Sequence, residues 1–430
     1  MRSNARSYDN LRAYLETVPL IDCHDHAGAL GAKPTDPIRS VVDWYMQADL
    51  ESAWPNLDVN LIFDEKKPLA ERWPELEKAW KRTRFTGYGL VIRKGLKHFY
   101  GEEDLSLEAL ERIRPKLLDF SDPKVFEHVL DEAGIKVRIG DVYQNSAAIE
   151  GTLNLPPRTR LAISLPAYHR IIKYEDVQQN AAPLKRTITS LDEYVDACRE
   201  SFVRCKQAGA VCFKDQSAYE RSIQFDNPTH SEAETAFNWI MADPRRSLSY
   251  PNGNKPLGDY LFQQFMRMAR DLDLPVQIHT GHMAGIRNGI VKTTAIGLPS
   301  LLELHRETRF DIFHANWPYS GELLFLGKNY PNVRLDFCWT NMVDPIYSQQ
   351  MFQQAVSSMP HGKIHGYGSD LNGDVLCSAW AHADLARDNI AIALSNLVEM
   401  EYLGLDDAKE IAWSWLFSNP NEFFKLGIEV

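Results

Sequence analysis

The chain is poor in the features that mark several common protein classes. It has no basic run, and its 47 Lys plus Arg are outnumbered by 58 Asp plus Glu, for a net charge of −11. An acidic balance of this kind argues against general affinity for nucleic acid or an anionic membrane, while leaving room for a locally positive pocket and a small anionic substrate. The six cysteines, Cys23, Cys198, Cys205, Cys212, Cys338 and Cys377, form no CxxC pair and no regular framework. Buried free thiols in a reducing compartment are the expectation. The opening MRSNARSYDNLRAYLETVPL has no apolar core of signal-peptide length. No stretch approaches the roughly 18 uninterrupted apolar residues of a membrane span. Cytoplasmic localisation follows as an expectation. There is no Gly-x-Gly-x-x-Gly or Walker pattern, which counts against a doubly wound nucleotide-binding sheet. Repeats and low-complexity stretches are absent too.

What remains is ordinary globular composition, 44% hydrophobic and 24% charged over 430 residues, with ample material for a large core. Short apolar runs read as buried strands: VPLIDCH, IKVRIGDVY, RLAISLPAY, AVCFKD, LPVQIHTG, FDIFHAN, NVRLDFCW and GKIHGYGSD. Between them lie amphipathic helical segments. One of these, SLDEYVDACRESFVRCKQAG, carries a Ser-x-x-Glu capping box at Ser190 to Glu193 and Gly209 as a stop. Strands alternating with helices indicate parallel βαβ units, and about eight of them with ionisable residues at their C-terminal ends indicate an α/β fold, a distorted (β/α)8 TIM-type barrel. One segment breaks the alternation. From about 31 to 130, rich in Trp, Glu, Lys and Arg, the pattern is helical, which predicts an insertion between strands 1 and 2 over the barrel mouth. Residues 1–430 are then one barrel domain that includes this insertion, with a smaller insertion over 217–254. The tail LDDAKEIAWSWLFSNPNEFFKLG reads as a helix, an Asn-Pro break and a short helix.

The strand ends carry the chemistry. In VPLIDCHDHAGAL the period-two alternation of a strand sends His24 and His26 to one face. Strand 4 ends in Lys214, strand 5 in His279 with His282 nearby, strand 6 in His314 and strand 8 in Asp370. Buried polar groups are costly unless they have partners, so four histidines and an aspartate converging on one barrel mouth point to a cation. Imidazole and carboxylate suit one divalent metal ion, zinc first, with manganese, iron or nickel also served. Arg221 and Arg287 are candidate clamps for a substrate carboxylate, since guanidinium offers bidentate donors. A surface ion pair is the plainer reading of each. Asp22 and Asp25 read as orienting or capping groups, Asp336 as a support at the end of strand 7, and His365 as a packed histidine.

These residues resemble the amidohydrolase superfamily, more specifically its amidohydrolase-related branch. His24-Asp25-His26, His279, His314 and Asp370 carry the resemblance. HANWPYSGELLFLGKNYPNVRLDF and SNPNEFFKLG are similar to segments of that branch. QIHTGHMAGIRNG resembles both nodulin-like amidohydrolases and uronate isomerases. The resemblance implies that His24, His26 and His279 bind the metal, with Asp370 as a further ligand or as the base, and that His314 polarises the substrate or stabilises negative charge. Lys214 would bind substrate as an ammonium, or bridge two metals as a carbamate; with His282, Arg221 and Arg287 it completes the expected substrate contacts. The implied activity is metal-dependent hydrolysis of an amide, ester or lactone in a small polar, carboxylate-bearing substrate. Uronate isomerase-like or decarboxylase chemistry on the same scaffold, and a non-catalytic binding protein, are the rivals. The expected partner is a small molecule rather than nucleic acid or membrane, and a homo-oligomer is compatible with the chain.

Overall fold

Each strand starts where an apolar run can be buried on both faces and stops where ionisable side chains begin. The computed structural model describes residues 5–27, 32–371 and 377–429. Its strands are β1 (Leu20–Asp25), β2 (Ile135–Gly140), β3 (Thr159–Ser164), β4 (Cys212–Asp215), β5 (Val276–His279), β6 (Phe310–Phe313), β7 (Val333–Asp336) and β8 (Ile364–His365). They pair in sequence order, each parallel to the next. Parallel strands covered by helices read as near-continuous hydrophobic runs, which is why β1, β4, β5 and β6 are buried along their whole length.

The barrel closes irregularly. β8 holds only two residues because the Gly366 N–H is taken by the Trp415 carbonyl of the C-terminal tail (2.9 Å). Closure onto β1 passes instead to the residues that follow. The Cys23 N–H donates to the Tyr367 carbonyl (3.2 Å), the Asp370 N–H to the His24 carbonyl (2.8 Å) and the His26 N–H to the Leu371 carbonyl (2.9 Å). The expected break in the tail is a π-helical turn at Ser414–Ser418, and Pro420 sits in the first turn of the helix Asn419–Phe423. Phe417, Phe423 and Phe424 from this tail pack with Ile21, Cys23, Ile139, Ala162 and Cys212 and plug the barrel floor.

The capping box expected at Ser190 is half formed. Ser190 Oγ accepts the Glu193 N–H (3.2 Å), but the Glu193 carboxylate reaches Thr189 instead (2.8 Å). The helix Leu191–Gln207 ends before Gly209, whose φ of +98° requires glycine.

Between β1 and β2 the chain forms the helices Trp44–Ala53, Val59–Ile62, Leu69–Thr83, Gly87–Tyr100, Leu107–Ile113 and Pro123–Ala133. The last packs with the main barrel core through Phe126, Val129 and Leu130. The others build a second apolar cluster around Met46, Leu76, Trp80 and Leu96, which rests on Phe313, Trp339 and Met342 at the barrel top. Charge fastens it as well. Lys94 of the helix Gly87–Tyr100 and Arg12 of the N-terminal helix Ala5–Thr17 both pair with Asp388 of the helix Cys377–Glu399 (2.8 and 2.7 Å). Among the described residues no helix is long and apolar enough to cross a membrane. Cys23, Cys198, Cys205, Cys212 and Cys338 are buried and free; the side chain of Cys377 lies outside the described residues.

Candidate metal centre

β1 delivers His24 from its last turn of pleat and His26 just beyond it. Their Nε2 atoms are 3.3 Å apart. Asp370, in the segment after β8, places Oδ1 3.4 Å from His26 Nε2 and 3.7 Å from His24 Nε2, with Oδ2 3.9 Å from His314 Nε2. The backbone at this rim is unusual. His314, Ala315, Asn316, Trp339 and Asp370 all have φ between +46° and +67°, a region costly for residues with a Cβ and concentrated at functional sites.

Hydrogen bonds settle which nitrogen of each ring faces inward. His24 Nδ1 lies 3.2 Å from Gln277 Oε1, His26 Nδ1 is 2.9 Å from the Asp141 carbonyl, and His314 Nδ1 is 3.0 Å from the Cys338 carbonyl. Oxygens of these kinds accept, so each Nδ1 carries the proton and each Nε2 keeps its lone pair. Three lone pairs thus converge on one carboxylate. Burial holds His24 and His314 well below the ordinary histidine pKa, with Lys214 adding to the effect at His24 and His279 at His314. Burial raises the Asp370 carboxyl. Among the described residues Asp370 Oδ1 is buried and has no hydrogen-bond donor, an arrangement that asks for a cation. Two ligands at about 2.0–2.1 Å from a tetrahedral metal are about 3.3–3.4 Å apart, close to the His24–His26 and His26–Asp370 spacings. His24, His26 and Asp370 fit a divalent metal, and His314 stands beside them with the correct tautomer.

These side chains line or underlie a cavity of about 860 Å³ that also meets Lys214, His279, Tyr143 and Tyr219. Lys214 is buried, its ammonium 4.4 Å from the centre of the Phe313 ring, and burial lowers its pKa. Tyr45, from the insertion helix Trp44–Ala53, donates its hydroxyl to the Asp370 carbonyl (2.7 Å).

Other residues singled out from the sequence lie differently from expectation. His279 lines the cavity, but its Nε2 is 2.7 Å from the His282 carbonyl. It must donate there, which leaves only Nδ1 with a lone pair. His314, expected to stabilise negative charge, presents an acceptor rather than a donor. His282 and Arg287 line a separate cavity of about 370 Å³ between the insertion and the loop after β5. There His282 stacks on Trp339 with ring centres 4.9 Å apart, and burial lowers its pKa to about 4. Arg221 is buried away from the large cavity, its guanidinium bound to Asp259 and to the Ser222 carbonyl (3.1 Å). A clamp needs a free fork, and Asp259 occupies this one. Sequence reasoning missed Gln277, Asp141 and Tyr45. Asp141 directly follows β2 and holds His26 through its backbone carbonyl, a contact that its side-chain type does not signal. Gln277 is a polar residue inside an apolar strand, which itself signals a buried partner.

No family model matches the chain. Protein fluG from Emericella nidulans is 24% identical over 180 residues, which is 40% of this chain and 20% of that protein. The chain therefore spans about a fifth of that relative's length. Solved structures match throughout. A uronate isomerase from Thermotoga maritima has a TM-score of 0.78 at 15% identity, covering 97% of both chains. A glucuronate isomerase from Caulobacter crescentus has a TM-score of 0.78 at 18% identity, covering 100% of this chain and 95% of its own. A structure assigned as a metal-dependent hydrolase, from Lactobacillus casei, gives 0.64 at 16% identity over 98% and 99%. The chain has the fold of these proteins, a (β/α)8 barrel, in keeping with the resemblance read from its sequence.

Proposed function

We propose that this protein is a metal-dependent enzyme of the amidohydrolase type that hydrolyses a small, polar, carboxylate-bearing substrate. The observation that carries the metal is the convergence of the His24, His26 and His314 lone pairs on the buried carboxylate of Asp370. A divalent ion held there, zinc being the first choice, would lower the pKa of water from about 15.7 to about 7 and supply hydroxide at neutral pH.

The chain's own residues supply the rest. Asp370, with its pKa raised by burial, would take the attacking water's proton on the oxygen left free of the ion and return it to the leaving group. Tyr45 fixes the Asp370 backbone, and through it the carboxylate. Lys214 offers the ammonium that binds substrate oxygen and offsets developing negative charge; it takes the role expected of His314, whose inward nitrogen accepts. His279 is kept as a wall of the cavity. Arg221, His282 and Arg287 are given no substrate contact.

A second reading, isomerisation of a uronate, is favoured by the full-length match to two uronate isomerases. The test is one panel of lactones, N-acyl amino acids and uronates, incubated with metal-loaded protein and followed by mass spectrometry. Hydrolysis adds one water to the combined products, isomerisation conserves mass, and decarboxylation releases carbon dioxide. Metal content below about one-tenth equivalent after growth with zinc and manganese would overturn the metal reading and favour a binding protein.

A further inference from the structure

Below the rim lies a layer of polar side chains that the proposed chemistry does not use. Gln277, Asp311, Asp336 and His365 are each 0% exposed. The Gln277 amide nitrogen donates to the Cys23 carbonyl (2.9 Å) and to Asp311 Oδ2 (3.0 Å). The carbonyl and the carboxylate accept, so the amide is locked one way round, and its oxygen faces His24 Nδ1. Asp311 is gripped through its other oxygen by His365 Nδ1 (3.0 Å). A second arm runs on the other side of the bore. Asp336 Oδ1 accepts the Cys338 N–H (2.7 Å), and the Cys338 carbonyl accepts His314 Nδ1–H (3.0 Å). The two arms approach each other at His365, whose Nδ1 is 4.0 Å from Asp336 Oδ2.

We infer that Gln277 is a positioning residue which, braced by Asp311 and His365, dictates that His24 meets the metal through Nε2 and holds its ring in place. The inference rests on the metal reading above. Outer partners of this kind fix the tautomer of a metal-binding histidine, and their loss weakens metal binding by about 10–100-fold. In Gln277→Leu the Nδ1–H of His24 loses its acceptor, the ring is free to rotate, and the other tautomer becomes accessible.

Two measurements test it. Wild type and Gln277→Leu are stripped of metal and titrated with Co²⁺ against a chelator, with the visible absorption recorded and the fold checked by thermal unfolding. The expected result is a Co²⁺ affinity about 10–100-fold weaker in the variant, with displaced absorption bands. Independently of any Gln277 variant, ¹⁵N-histidine spectra of the zinc-loaded wild type, with His24 assigned by comparison with His24→Gln, are expected to show Nδ1 protonated and Nε2 bound to metal. A folded Gln277→Leu protein with wild-type affinity and bands overturns the inference and leaves the metal reading intact, as does a His24 that binds zinc through Nδ1. The Cys23, Asp336 and His365 group offers a rival use for the layer as a second metal site. A second equivalent of Co²⁺ in wild type that disappears in His365→Gln would overturn the positioning role in its favour. A wild type that takes up no cobalt removes the metal reading and this inference with it.

Discussion

Two groups of histidine and carboxylate occupy the same barrel and meet different ends. At the rim, His24, His26 and His314 turn unshared lone pairs toward Asp370 beside an open cavity. In the stem, His365 donates to Asp311, Asp311 accepts from Gln277, and Phe423 and Phe424 press on the His365 ring from below, with ring centres 5.0 and 5.4 Å away. The residue types are nearly the same. The difference lies in whether acceptors face donors or one another, and whether a ligand can reach them. A row of acceptors without donors is unstable unless a cation completes it; a row that alternates is a brace.

That contrast is most directly broken at Asp370. Asp370→Asn removes the charge the lone pairs share, and turnover is expected to fall about a thousandfold, the loss of several kcal/mol of transition-state stabilisation. Metal analysis of the same preparation should show the ion depleted as well. Next comes the division of labour between two rim histidines. His314→Ala should weaken metal binding more than tenfold, and His279→Ala by less, because the His279 Nε2 is already committed to the His282 carbonyl. The reverse order in a chelator competition would restore His279 as the ligand that the sequence pointed to. Asp25→Ala probes the brace beside the rim. It leaves the guanidinium of Arg138 buried without the carboxylate that now sits 2.5 Å away, and a denaturant titration should register a loss of about 3–5 kcal/mol.

A smaller effect concerns pH. Burial holds His382 near 4 against an ordinary 6.5. The unfolded chain therefore gains a proton as pH drops through 6.5, and the folded chain does not until about 4. The His382 share of stability is complete above pH 6.5 and is lost as pH falls toward 4, amounting to about 3 kcal/mol at that point. Comparing the pH dependence of unfolding in wild type and His382→Gln checks this, since the variant should lose that part of the slope. Arg287→Ala should do least. Its side chain is exposed, and both stability, within about 0.5 kcal/mol, and turnover on the best substrate should stay level.

Much of the barrel was readable in advance because a buried parallel strand has little freedom in composition. LPVQIHTG and FDIFHAN are apolar, Gln277 and Asp311 apart, until the residue that emerges at the rim. That His24 and His26 share one face was readable from period two, and that Asp370 reaches the rim from its place after the last apolar run; their pointing to a metal needed the other strand ends as well. Orientation was not readable. Nothing local shows that the loop after β5 folds back to set the His282 carbonyl against His279. Arg221 looked available because Asp259, 38 positions away on a neighbouring helix, is invisible until the chain is folded. β8 looked longer than its two residues because the competitor for the Gly366 N–H is a carbonyl nearly fifty residues on. Gln277 was passed over as part of a strand, although a lone amide between valine and isoleucine was itself the clue.

The hydroxyl of Tyr45 on the carbonyl of Asp370 joins residues 325 positions apart. A ribosome releases His24 and His26 well before Asp370, a delay on the order of tens of seconds at ordinary elongation rates. Throughout that interval the nascent chain carries two bare imidazoles but no cage around them. On the metal reading proposed above, ion capture waits until Asp370 has been made, and a product truncated before that residue is expected not to retain the ion.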